Sequence, residues 1–321
     1  TYKLFQDQKI IPVKKEKGKG ELFGLKGACA NNLKAIDVDF YSRQVTAVTG
    51  ISGSGKSSLI KEVLHRSWLR RRPVNCASAH GLDQFDEVLL IDQEPLAQNR
   101  LSTPASYTGL LEQIKTLFSK TAFAQKAGLK KADFSYQSKN GKCPTCAGQG
   151  QLKKRMDFMS DVWLTCDSCK GMRYNADVLA CQYKERSIGE VLRMTVQEAN
   201  AFFDTETIVK DLDILKQVGV GHLLLGQSGH TLSGGEAQRL KLATSLMQKR
   251  KGATLYLFDE PSTGLHYFDL LPLIEVFQSI VDRGDTVLFI EHNSTLIASA
   301  NEVMTLGPGS GEDGGEVVAA I

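Results

Sequence analysis

Three stretches of the chain carry residues whose types and spacing suit phosphate chemistry. Residues 50–59 read G-I-S-G-S-G-K-S-S-L, the pattern G-x-x-x-x-G-K-[ST] of a phosphate-binding loop. Gly50, Gly53 and Gly55 let the backbone turn so that successive N–H groups and a helix N-terminus face phosphate oxygens. Ser52, Ser54 and Ser58 belong to the same cradle, Lys56 reaches the terminal phosphates, and the Ser57 hydroxyl is a ligand for Mg²⁺. Residues 232–239, L-S-G-G-E-A-Q-R, form a second glycine-rich helix start. Ser233 and Glu236 make a capping box, and the amides of Gly234 and Gly235 beside the Ser233 hydroxyl offer an anion site. At 255–260 an apolar run ends in Asp259, placed to hold Mg²⁺ through water, and Glu260, placed to polarise an attacking water. Gln93 and His292 close two further strand-like runs. Gln93 is positioned for Mg²⁺ and the γ-phosphate, His292 for the γ-phosphate. Together these residues predict nucleotide phosphate chemistry, hydrolysis of ATP, with Glu260, His292 and Gln93 as the candidate catalytic residues.

A fourth constellation binds metal. Cys143-Pro-Thr-Cys146 and Cys166-Asp-Ser-Cys169 lie 19 residues apart, the spacing of a four-cysteine zinc site. Gly148, Gly150 and Gly171 relax the backbone just beyond each pair. Because cysteine fills all four positions, the zinc is structural. Between the knuckles, runs at 151–159 and 162–165 read as a β-hairpin carrying Lys153, Lys154 and Arg155 beside Phe158 and Trp163. Such a face suits a nucleic acid; a small metal-stapled fold with a solvated face is the plain alternative.

The elements that must position these residues can be read around them. Short alternating runs over 21–44 predict an antiparallel sheet leading into a strand at 45–49 and a helix over 59–69. Buried strands are expected at 87–91, 255–258 and 286–290, and closing strands at 302–306 and 316–320 around a glycine-rich turn. A capping box at Thr195 and Glu198 opens a helix through Phe203, and 208–218 reads as another. From Gln93 to Leu232 lie 138 residues, too many for a loop in a compact domain. The expected division is a linker over 1–20, the first part of an ATP-binding core over 21–93, an inserted domain over 94–231 with its zinc module near 140–175, and a final segment over 232–321.

The 321 residues are 42% hydrophobic and 23% charged, the composition of an ordinary globular chain. No window approaches the roughly eighteen consecutive apolar residues of a membrane span, and Thr1 opens neither a signal nor a transit peptide. The expectation is a cytoplasmic protein with no membrane partner, and a first residue other than Met points to a trimmed chain. A net charge of +3 confines any nucleic-acid surface to local clusters.

With these motifs placed, the chain resembles the UvrA family, the DNA-damage-sensing ATPase subunit of bacterial excinuclease, in its C-terminal half. The likeness rests on N-N-L-K at 31–34, S-G-S-G-K-S-S-L, I-D-Q at 91–93, P-A-S-Y-T-G at 104–109, both cysteine knuckles, G-G-E-A-Q-R-L-K-L-A, D-E-P-S-T-G-L-H and I-E-H-N. It departs from the commonest family pattern at 94–102, at 227–231 and at 153–155. The resemblance implies a P-loop NTPase of the ATP-binding-cassette type, α/β, with an antiparallel β subdomain and an inserted helical signature domain carrying the zinc module. It implies that Lys56, Ser57, Gln93, Asp259, Glu260 and His292 serve one ATP while Ser233 and Gly235 serve another across a cassette interface. Its partners would be damaged duplex DNA, another cassette half in cis, a second UvrA copy and UvrB, the last through a region outside this chain. Its function would be nucleotide excision repair, with a DNA- or drug-binding self-resistance paralogue of weak ATPase activity as the alternative.

Overall fold

In a computed structural model the described residues are 20–94, 96, 100–155, 161–248, 252–265 and 267–320, with side chains at 267–269 excepted. The expected linker, apart from Gly20, and Phe158 of the hairpin lie outside the described residues. The strands, in chain order, are β1 (Leu22–Ala28), β2 (Ile36–Tyr41), β3 (Val45–Gly50), β4 (Ser78–His80), β5 (Glu87–Ile91), β6 (Gln151–Lys154), β7 (Val162–Thr165), β8 (Gln182–Tyr183), β9 (Arg186–Ser187), β10 (Thr254–Asp259), β11 (Thr286–Ile290), β12 (Glu302–Gly307) and β13 (Glu316–Ala320).

The chain forms two compact units, one of Thr1–Gln93 with Lys249–Ile321 and the other of Glu94–Gln248. In the first, the described residues make a six-stranded sheet in the order β13-β12-β3-β11-β10-β5, parallel except for β13. A three-stranded antiparallel sheet, β2-β1-β4, accompanies it. All five residues of β11 are buried, as are the first five of β10, which is why these strands read as unbroken apolar runs without alternation. The helix after the phosphate loop is wound as a π-helix over Ser58–His65 and as an α-helix over Arg66–Arg70. It buries Leu59, Ile60, Val63 and Leu64 in the core that also takes Leu257, Leu288 and Ile290. Each such side chain contributes about 1.5–3 kcal/mol on burial.

Register brings four strand ends to one edge. Phe258 pairs with Ile91, Asp259 with Ile290, and Ile290 with Val48, so β5, β10, β11 and β3 all finish together. In a parallel sheet with this order, ligands bind outside the carboxyl ends of the strands.

The second unit is mainly helical, with short strand pairs β6–β7 and β8–β9. Capping boxes at Thr195 with Glu198, Ser187 with Glu190 and Ser233 with Glu236 start three of its helices. The helix Gly234–Met247 groups with this unit, whereas a division at Leu232 had assigned it to the core segment. It packs against the helix Glu206–Gln217, and the chain crosses between units only after Gln248.

Candidate nucleotide site and metal centre

The loop between β3 and its helix has the backbone that phosphate binding requires. Gly50, Gly53 and Gly55 lie at φ +139°, +80° and +102°. A Cβ on Gly50 would stand 2.1 Å from the Leu306 carbonyl oxygen, so only glycine lets the loop leave β3 beside β12. Lys56 is buried, and its Nζ donates to the carbonyls of Gly50 at 3.0 Å and Ile51 at 2.8 Å. Burial pushes this ammonium below its usual range, while Glu260 and Asp259 pull it back up. A buried cation whose hydrogen bonds, among the described residues, go to two neutral carbonyls, in a glycine-opened loop, is a donor set that fits a polyphosphate. Ser54 is buried and its hydroxyl has no partner among the described residues, Ser52 and Ser57 are exposed, and Ser58 accepts from Asn31 Nδ2 at 2.9 Å.

The strand-end residues do meet. Glu260 takes a left-handed φ of +49°, fixed by its N–H donating to the Ile290 carbonyl at 3.0 Å. Gln93 Nε2 donates to the Glu260 carbonyl at 3.4 Å, and His292 Nε2 lies 3.8 Å from Glu260 Oε1. A non-glycine residue held in that region costs on the order of 1–3 kcal/mol, a strain that persists where surrounding structure fixes it. Asp259 Oδ2 is paired at 2.7 Å with Lys61 of the phosphate-loop helix.

Three features have roles that the motifs did not assign. Lys61 is one, since nothing in the sequence singles it out from other helix lysines. Glu291 is the second: it is buried, and its carboxylate accepts from the N–H groups of Ser262 at 3.0 Å and His292 at 2.7 Å. It ties the turn after Glu260 to the strand end bearing His292. The third is a brace behind the phosphate loop. Asn32 Nδ2 donates to the carbonyls of Gly53 at 2.9 Å and Gly311 at 3.1 Å, while the N–H groups of Gly311 and Gly315 donate to Gly53 and Ser54. The loop 307–315, which the sequence shows only as a glycine-rich turn, thereby packs against the phosphate loop.

In the second unit Ser233 Oγ accepts from the Glu236 N–H at 3.3 Å, and Glu236 Oε2 accepts from the Ser233 N–H at 2.8 Å. Glu236 also meets His222 Nε2 at 2.9 Å. The carboxylate is therefore a cap, and the Ser233 hydroxyl is engaged in the same capping box, donating to Glu236 Oε2 at 2.9 Å.

The four cysteines converge. All four Sγ atoms lie within 4.8 Å of one another, with Cys143–Cys166 at 4.0 Å and Cys146–Cys169 at 3.6 Å. Zinc–sulfur bonds of about 2.3 Å in a tetrahedron give sulfur–sulfur edges near 3.8 Å. The Gly150 N–H donates to Cys146 Sγ at 3.2 Å. Burial and the neighbouring thiols push Cys169 up to about 12, and Cys146 moves in the same direction. At Cys143 burial acts upward too, but the N–H groups of Cys146 and Thr145 bring it to about 7. Four thiolates this close need a dication, and the set fits zinc. Beyond them β6 and β7 pair, Lys153 opposite Trp163 and Lys154 opposite Val162. Lys153 is ion-paired with Asp161 at 2.5 Å; Arg155 is exposed just past β6.

With this geometry established, a family model described as ABC transporter matches residues 33–263. UvrABC system protein A of Bacillus subtilis is 44% identical over 329 residues, covering 100% of this chain and 34% of the relative. Its counterpart in Micrococcus luteus is 46% identical over 308 residues, 94% of this chain and 31% of the relative. The chain is an ATP-binding cassette of the UvrA family. The solved structure of UvrA2 from Deinococcus radiodurans superposes with a TM-score of 0.91 at 40% identity, covering 99% of this chain and 39% of that one. The chain thus spans about a third of the length of the curated relatives it matches. As a UvrA-type cassette it takes ATP with Mg²⁺, and its four-cysteine cluster takes structural zinc. No helix among the described residues is long and apolar enough to cross a membrane.

Proposed function

We propose that this UvrA-type cassette is the ATP-hydrolysing half of a DNA-damage-recognition protein of nucleotide excision repair, coupling its ATP state to binding of damaged duplex DNA and to loading of UvrB. The observation that carries the reading is the presence in one chain of two built sites: Gln93, Asp259, Glu260 and His292 at the strand ends beside Lys56, and a basic hairpin stapled by four cysteines. The relatives' identity over the whole chain supports it.

In this reading Lys56 exchanges its two loop carbonyls for phosphate oxygens. Ser57, Asp259 and Gln93 would hold Mg²⁺, which would neutralise charge on the phosphates; here Lys61 occupies the Asp259 carboxylate. Glu260 accepts a proton-bearing hydrogen bond from the attacking water, and His292 beside it donates to the γ-phosphate. Ser233, Gly234 and Gly235 face the nucleotide of another cassette, in the same protein or a second copy, so the active form is dimeric at the cassette level. Lys154, Arg155 and, less strongly, Lys153 touch DNA phosphates. Replacing Glu260 by Gln keeps the shape and removes the base, so ATP binding is retained while DNA-stimulated turnover falls by at least ~100-fold. Turnover near the wild-type rate in the E260Q protein would remove Glu260 from the mechanism.

A further inference from the structure

Beside the zinc cluster the second unit contains a cavity of about 300 Å³. Its walls come from both glycine-rich knuckles, from Leu192 and Arg193, and from Gly226, Gln227 and Ser228. Arg100, Arg173 and Arg193 line it, and no Asp or Glu does among the described residues.

The three guanidinium groups are held in place by different means. Arg173 is buried and donates to the carbonyls of Gly148 at 3.3 Å and Gly226 at 3.1 Å, leaving further N–H donors of its five. Arg100 lies 3.6 Å from the centre of the Trp163 ring, which fixes its plane. Arg193 donates to the Lys170 carbonyl and is otherwise exposed. His230 nearby is held below its usual range, first by burial and then by the positive charges of Arg100 and Arg173.

The cavity's shape is set by backbone. A Cβ on Gly150 would stand 2.8 Å from the Gly171 carbonyl oxygen, and one on Gly226 would stand 2.8 Å from that of Leu192. These walls touch through main chain, so the cavity is preformed. Its volume lies at the small end of ligand pockets, which run from about 300 to 1,000 Å³, far too small for a duplex and right for one nucleotide. Leu192 and Leu224 supply apolar surface, and Gln149 and Gln227 supply amides that can both donate and accept.

We propose that this cavity receives one unpaired nucleotide of a DNA strand, its phosphate on Arg100 and Arg193 and its base against Leu192 and Leu224. The proposal rests on the reading of the chain as DNA-binding and adds where a distorted strand differs from an intact one. Recognition follows from cost: a paired base must first be unpaired and unstacked to enter, whereas an unpaired one enters at small cost.

The test uses zinc-loaded protein and the anisotropy of two labelled DNAs of equal length, one fully paired and one with a central unpaired stretch. Four proteins are compared: wild type, Arg193→Ala, Gln227→Trp, which fills the cavity without changing charge, and the hairpin variant with Lys153, Lys154 and Arg155 replaced by Ala. Arg193→Ala and Gln227→Trp should each weaken binding of the unpaired DNA about ten-fold and of the paired DNA less than about two-fold, with zinc content unchanged. The hairpin variant should weaken both DNAs alike and lower the salt dependence. If wild type binds the DNAs and both cavity variants match it, or if they weaken the two DNAs equally, the cavity proposal is overturned while the DNA-binding reading stands. If wild type binds neither DNA, the DNA-binding reading itself falls and takes the cavity with it. Should Arg193→Ala lose zinc, Gln227→Trp alone decides the matter.

Discussion

Replacing Glu291 should damage both the stability of the cassette core and the strand-end edge that bears Glu260 and His292, because this buried carboxylate is the joint between two strand-end loops. In the wild type it accepts two short hydrogen bonds, from Ser262 on Oε1 and from His292 on Oε2; a third, from the Asn293 N–H at 3.5 Å, is at the limit and adds little. Hydrogen bonds to a charged group are worth about 1.5–3 kcal/mol each. Glu291→Ala removes both acceptors and strands the two N–H groups, so the loss should be about 3–5 kcal/mol. Glu291→Gln is smaller. Its carbonyl oxygen can serve one N–H, but its NH₂ then opposes the other, which sets the loss near 2 kcal/mol.

The assay can isolate the cassette unit, since the chain has two tryptophans, Trp68 in the first unit and Trp163 in the second. In a Trp163→Phe background, Trp68 fluorescence during urea unfolding reports the first unit alone. With a slope of about 2–3 kcal/mol per molar urea, Glu291→Ala should lower the midpoint by about 1–2 M and Glu291→Gln by about half as much. Nucleotide turnover should fall in the same order, because Glu260 and His292 hang on the two loops that Glu291 joins. A midpoint for Glu291→Ala within about 0.3 M of the parent, or a larger loss for Gln than for Ala, would refute the reasoning.

Asn32→Ala removes both side-chain bonds of the brace, worth about 1 kcal/mol each, and should raise the dissociation constant for ATP about ten-fold. Lys34→Ala, which breaks only the exposed Lys34–Glu316 pair, should leave calorimetric ATP affinity unchanged. Replacing Cys143 and Cys166 by Ser should release zinc, as a colorimetric metal assay would read, and unfold the hairpin region while the Trp68 transition of the first unit stays in place. The second unit should also be acid-sensitive through its helix caps. The N–H groups of Ser187 and Thr195 hold Glu190 and Glu198 below the ordinary 4.5, and His222 and Ser233 bring Glu236 down against the upward effect of its burial. Folded values below unfolded ones mean that this stabilisation is present above about pH 4.5 and is lost as pH falls through the folded values. Helical ellipticity should therefore decline on that side, and Gln at all three positions should flatten the decline.

The chemistry of this protein was largely legible in its sequence because that chemistry depends on local geometry. A phosphate loop needs three glycines at fixed positions, and Gly50, Gly53 and Gly55 do take positive φ. A capping box needs two residues three apart, and those at Thr195 and Ser233 form as their spacing requires. Buried parallel strands need unbroken apolar runs, and residues 286–290 are both the run and the strand. The paired cysteines likewise supply two ligands from each tight knuckle.

Other features are pairings between distant parts of the chain, and no local pattern encodes them. Asn32 meets Gly311 across 279 residues only because β12 lies beside β3 in the sheet. Lys61 meets Asp259 only because the phosphate-loop helix and the end of β10 share one edge, and Glu291 finds Ser262 because β11 and β10 are neighbours. The glycine-rich helix at 234 likewise chose its unit by the face it buries against the helix Glu206–Gln217, not by its nearness in sequence to β10. Backbone conformation is dictated residue by residue, so the sequence determined the loops, caps and knuckles. Strand order is settled by the burial of whole faces at once, so the tertiary structure alone decided which side chains stand beside Glu260 and His292.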